Sequence, residues 1–153
     1  MASVVSFFFR VIMGGIFLVS GLAKISDPYR FILTMREFRL FPEVIVPFTA
    51  VYLPWLEFVV GLFILLGLMH RSSALILLCL NMIFTAAIVS VMVRGIDVDC
   101  GCFGLLADML GMPDMADYKA VVRNIVFILM NVQIMTARKS ALSLEGYLRR
   151  KAR

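Results

Sequence analysis

The chain has 153 residues, of which 62% are hydrophobic and 16% charged, and its formal net charge is +5. A soluble domain carries about half apolar and a quarter charged residues, so this composition excludes a water-soluble enzyme and points to a membrane protein. The basic excess gathers in the tail, residues 138–153, where attraction to anionic lipid explains it better than nucleic acid does.

Four runs are long enough to cross a bilayer core, which needs roughly 20 mostly apolar residues. They cover about residues 5–23, 44–69, 72–93 and 120–137. The expectation is an all-α, integral membrane four-helix bundle forming one domain, with a short interfacial helix between the first two spans. The first run is expected to be the first transmembrane helix rather than a cleaved signal peptide, because its early charge, Arg10, lies inside the run instead of in a basic segment before it. Within it Arg10, Gly14, Phe17, Gly21 and Lys24 follow a 4, 3, 4, 3 spacing that sets them on one face.

After this run, Asp27 and Pro28 suit the N-cap and first position of a helix. Phe31, Met35 and Phe38 then recur at helical spacing among Arg30, Glu37 and Arg39, which predicts an amphipathic helix in the membrane interface, ended by Pro42. The second run carries a similar seam of Pro54, Glu57 and Gly61. Trp55, beside Pro54, reads as a packing residue. By helix rise, Arg10 lies roughly 21 Å from Lys24, and Glu57 roughly 20 Å from Val44, so the two charges fall at one depth. An Arg10–Glu57 ion pair inside the bundle is the expectation, since either charge alone in hydrocarbon is costly. A clip between two helices and a role in proton or quinone handling explain it equally well.

The third run contains Cys79, read as a small buried residue. With His70 it is more than about 15 Å by helix rise from the other two cysteines, so no metal site is expected. There is no glycine-rich phosphate loop, Ser-His-Asp set or haem-attachment motif.

The connection from Arg94 to Lys119 holds the most specific motif, Asp99-Cys100-Gly101-Cys102-Phe103-Gly104. Two thiols one residue apart close a disulfide only through a sharp bend that glycine permits, and such a strained ring belongs with labile or catalytic disulfides. The plainer reading is a loop whose cysteines only pack. Leu105, Leu106, Met109, Leu110 and Met112 suggest that part of this connection dips into or covers the membrane face. Arg123 and Asn124 enter the fourth helix from the same side, near the level of Lys24. A cation there would lower a thiolate pKa. Equally, Arg123 would pair with Asp97, Asp99 or Asp117.

Four crossings put both termini on one side and the Cys-Gly-Cys loop on the other. Lys and Arg outside the runs divide almost evenly, but their concentration in one tail favours cytoplasmic termini. A disulfide on the extracytoplasmic side of the inner membrane would face an oxidising compartment.

The ordered set of Arg10, Gly14, Phe17, Gly21, Lys24, Asp27-Pro28, Leu53-Pro54-Trp55-Leu56-Glu57, Gly61, Gly67 and the Cys-Gly-Cys-Phe-Gly segment resembles the MauE and DoxX group of redox-associated membrane proteins. The likeness reaches about Ala137. It implies a four-helix membrane bundle in extracytoplasmic thiol chemistry, with maturation of a disulfide-rich periplasmic enzyme beside a thioredoxin-like partner in the MauE branch, and quinone-coupled or sulfur-compound oxidation in the DoxX branch. Carried to this chain, the redox role falls on Cys100 and Cys102, while Arg10, Lys24 and Glu57 match recurring polar positions to which the resemblance assigns no role. From the residues themselves, Asp99, Gly101, Lys24 and Arg123 are the expected supporting groups, and a quinone is one acceptor open to the electrons, with no cofactor required. The competing expectation is a non-catalytic subunit that anchors or assembles a larger membrane complex.

Overall fold

The structure, a computed structural model, describes residues 2–98 and 116–136. Its order is α1 (Ala2–Ser26), α2 (Pro28–Phe38), α3 (Val46–Leu66), α4 (His70–Val93) and α5 (Tyr118–Thr136). Four of these, all but α2, are long and apolar enough to cross a membrane. The protein is therefore a multi-pass, all-helical membrane protein, with helix ends within a few residues of the hydropathic runs.

In lipid the pull between helices comes from close packing rather than from expelled water, and small residues let backbones approach. The face of α1 read from the sequence is the buried one: Arg10, Gly14, Phe17, Gly21 and Lys24 all point inward. It meets the Pro54, Glu57 and Gly61 face of α3. A β-carbon on Gly14 would stand 2.9 Å from the Gly61 carbonyl oxygen, and one on Gly21 would stand 2.8 Å from the Phe58 nitrogen. The backbones thus touch at both glycines, with α1 and α3 antiparallel. The other strong pairing is α4 with α5, and Met13, Phe17, Ile64, Leu77 and Ile134 fill the shared core.

Asp27 starts α2, its carboxylate accepting from the Arg30 N–H at 3.1 Å. Phe31 and Met35 pack on Val46 and Ala50 of α3, so the apolar stripe of α2 is the buried one. The helix ends at Phe38, with Arg39 left-handed at φ 50°, before Pro42 is reached. Arg94, just past α4, donates to the Phe38 carbonyl and holds this end of α2 to α4. At the far end of α3, Gly67 takes φ 70° and its N–H donates to Ile64 O at 3.1 Å, which closes the second span sooner than its hydropathy does.

Two residues expected inside face outward. Cys79 is exposed on α4. Trp55 is 53% exposed and meets only the edge of Phe58 among aromatic rings described. An apolar residue in a spanning helix suits lipid as well as core, so hydropathy does not distinguish the two faces.

The chain leaves the described structure after Val98 and rejoins it at Ala116. These two are tied, the Ala116 N–H donating to Val98 O at 2.9 Å. Val98 is buried with Phe38, Ile88, Val91 and Ala120. Asp99, Cys100, Gly101 and Cys102, the apolar stretch that follows them, and the basic tail lie outside the described residues.

Candidate functional site

Continuing the α1–α3 register from its glycine contacts brings Glu57 level with Ser20, one turn from Lys24. The Lys24 ammonium lies 2.7 Å from Glu57 Oε2 and 2.9 Å from Oε1, so it bridges both carboxylate oxygens. Ser20 Oγ donates to Oε2 at 3.3 Å. Lys24 is 6% exposed and Glu57 1%, which makes this a buried, desolvated ion pair. The ammonium also sits 5.1 Å from the Phe31 ring centre and 5.0 Å from that of Phe84, within cation–π range of both.

The expected Arg10–Glu57 pair is not formed. Arg10 and Glu57 share a depth only if Lys24 and Val44, the ends of their hydropathic runs, are level. In the fold, the first turns of α3 extend past the end of α1 to pack on α2, so Glu57 slides toward the Lys24 end. Arg10 lies ten residues from Ser20, about 15 Å along the helix. It serves the other end of α3: its Nε donates to Ile64 O at 3.1 Å, and a β-carbon on Gly67 would run into its guanidinium. A cation beside the last carbonyls of a helix is favourably placed for the helix dipole.

Around the ion pair lies a cavity of about 30 Å³, lined among others by Ser20, Lys24, Glu57, Asn81, Phe84 and Asn124. Phe17 and Phe127 close it with an edge-to-face contact, centroids 6.4 Å apart. Asn124 thus does lie at the level of Lys24, as its place early in α5 suggested. Its Nδ2 and that of Asn81 are buried without a hydrogen-bond partner in the structure. Sequence reading passed over Asn81 and Asn131, the latter fully buried in α5. The signal was there, since an amide within an apolar span is costly unless it serves the interior.

Of the other predicted site residues, Arg123 is half-buried beside Asn124. Asp117 caps α5, its Oδ1 accepting from the N–H groups of Lys119 at 3.0 Å and Ala120 at 3.1 Å. The structure brings together Lys24 and Glu57 and sets Arg10 apart. Chemically the chamber presents an ammonium and two amide donors against one carboxylate, an arrangement suited to holding an acceptor oxygen.

The model of the family described as methylamine utilisation protein MauE matches residues 2–137. This chain belongs to the MauE family. The matched region takes in every described helix and the Cys-Gly-Cys segment, and it ends before the basic tail. The methylamine utilization protein MauE of Paracoccus denitrificans is 26% identical over 133 residues, which are 86% of this chain and 69% of that relative. No solved structure matches the chain.

Proposed function

We propose that this MauE-family protein is a membrane component of extracytoplasmic thiol–disulfide chemistry, in which Cys100 and Cys102 exchange a disulfide with a thioredoxin-like partner or a disulfide-containing substrate. The observation that carries the reading is the anchoring of the segment between Val98 and Ala116. Both of its ends are held by one backbone hydrogen bond at the end of the bundle that also holds Lys24, Glu57 and Asn124. In the sequence, Cys100 and Cys102 follow the anchored Val98 by two and four residues.

In the oxidising direction, a partner thiolate attacks the Cys100–Cys102 disulfide, forms a mixed disulfide and releases one cysteine thiolate. The partner's second thiolate then resolves it, leaving two thiols in this chain and a disulfide in the partner. Two electrons and two protons have moved inward. A membrane quinone, reduced to its quinol, is the oxidant class that restores the disulfide. On this reading Arg123, half-buried early in α5, is a cation that would favour a thiolate. The relative's name ties it to methylamine utilisation, and an accessory role in maturing a disulfide-rich enzyme for such a process suits this chain. We place it in the cytoplasmic membrane, with the Cys-Gly-Cys loop outside and both termini inside.

The test is trapping. With Cys100 or Cys102 changed to Ser, the remaining thiol has no internal partner, and one of the two variants accumulates a mixed disulfide visible on a non-reducing gel. The double variant traps nothing and loses exchange while still inserting. A double variant that keeps full function within a larger complex would replace this reading with that of an anchoring subunit.

A further inference from the structure

An apolar groove of about 530 Å³ runs along the outside of the bundle where α2 crosses α3 and α4, lined by Phe31, Met35, Phe38, Leu53, Ile83 and Phe84 among others. Its size and apolar walls are those of small-molecule sites, which add a few convergent polar groups to fix orientation. Here those groups stand directly behind the wall. Phe84 lines both the groove and the ion-pair chamber, and the Lys24 ammonium lies against the rings of Phe31 and Phe84.

A lipid acyl chain would fill the apolar volume but gives no account of the polar chamber behind Phe84. There Asn81 and Asn124, each 3% exposed, keep Nδ2 donors without a partner. Leaving buried donors unmet costs stability that two leucines would not. The Lys24 charge is already neutralised by Glu57, so the donors favour a neutral acceptor over an anion. At about 30 Å³ the chamber has room for one oxygen of a ligand, or one water, and not for a ring. The rings of Phe31 and Phe84, which line the groove and lie against Lys24, suit a flat head group.

The geometry points to the groove as a binding site for a quinone-class molecule, its ring against Phe31 and Phe84, one carbonyl oxygen reaching the donors of Asn81 and Asn124, and its tail along α2 into the lipid. The inference rests on the proposed redox function for why a quinone is needed, and on the groove and chamber for where it binds. Phe84 is the partition through which ring and ion pair meet.

Binding is tested by calorimetry on the full-length protein in detergent, with Cys100 and Cys102 both changed to Ser so that thiol chemistry plays no part. A decyl-tailed benzoquinone should bind saturably at one site, and decylbenzene, which has the same tail and no carbonyl, should bind far more weakly. Asn81→Leu and Asn124→Leu should each weaken the quinone about three- to tenfold, the worth of a neutral hydrogen bond, without lowering thermal stability. Ala86→Phe, at an exposed groove position, should weaken it more than tenfold by filling the volume. Equal affinity for decylbenzene, or indifference to both asparagine changes, would show a groove that holds only lipid tails and overturn the proposal. Quinone binding alongside failure of the single-Ser variants to trap a partner would uphold this site and reject the thiol reading. Trapped partners with no quinone binding would do the reverse.

Discussion

A carboxylate and an ammonium withdrawn together from solvent hold each other in place, and removing one leaves the other charged with no compensation. Glu57→Ala should therefore destabilise the protein by about 3 to 5 kcal/mol, and Lys24→Met by a similar amount, read from thermal unfolding in detergent. The double change Lys24→Met with Glu57→Leu should recover much of the loss, because a packed apolar pair of similar volume replaces the buried charges. A double-mutant cycle between Arg10→Met and Glu57→Ala should show additive losses, since the two sites are far apart and share no partner described here. Strong coupling in that cycle would restore the pair expected from the sequence. Both charges were legible as interior residues, because lone charges in apolar runs must face protein. Their partners were not. Pairing depends on how far one helix slides along another, and that is set by glycine contacts and by the footing of α3 on α2, neither of which hydropathy records.

Among whole helices, the α1–α3 contact is the one with the least slack. Gly21→Ala would put a methyl 2.9 Å from the Pro54 carbonyl oxygen and Gly61→Ala one 2.9 Å from the Leu18 nitrogen, both backbone atoms that cannot rotate away. Each should lower the unfolding temperature clearly, whereas Gly15→Ala, with no neighbour within 4 Å, should be neutral or stabilise the protein by up to about 1 kcal/mol through helix propensity. Equal effects at Gly15 and Gly21 would mean that the helices do not meet as closely as described. The 4, 3, 4, 3 spacing on α1 and the Asp27-Pro28 start of α2 were readable because each leaves a periodic or capping signature in the sequence. The outward placement of Cys79 and Trp55 was not, since spanning helices carry apolar residues on both faces and the contrast that marks a soluble amphipathic helix is missing.

Taken as a whole, the molecule has one end where two of its three inter-span connections meet. Arg94, after α4, donates to the carbonyl that ends α2, and Val98 packs on Phe38, so the connection after α1 and the one after α4 share that end. Four crossings then carry the start of α1 and the end of α5 to the opposite end. The proposed orientation, with the basic tail in the cytoplasm, makes a definite labelling prediction. Cys79 would confuse it, being exposed on the surface of a span, and should first be changed to Ser. In that background, a membrane-impermeant maleimide added to intact cells after mild reduction should label Cys100 or Cys102, while an epitope fused after Arg153 stays protected until the membrane is opened. Labelling confined to opened cells, with the epitope accessible from outside, would invert the protein. The cysteines would then face the reducing cytoplasm, where disulfides do not persist, and the exchange with an extracytoplasmic partner would have to be abandoned.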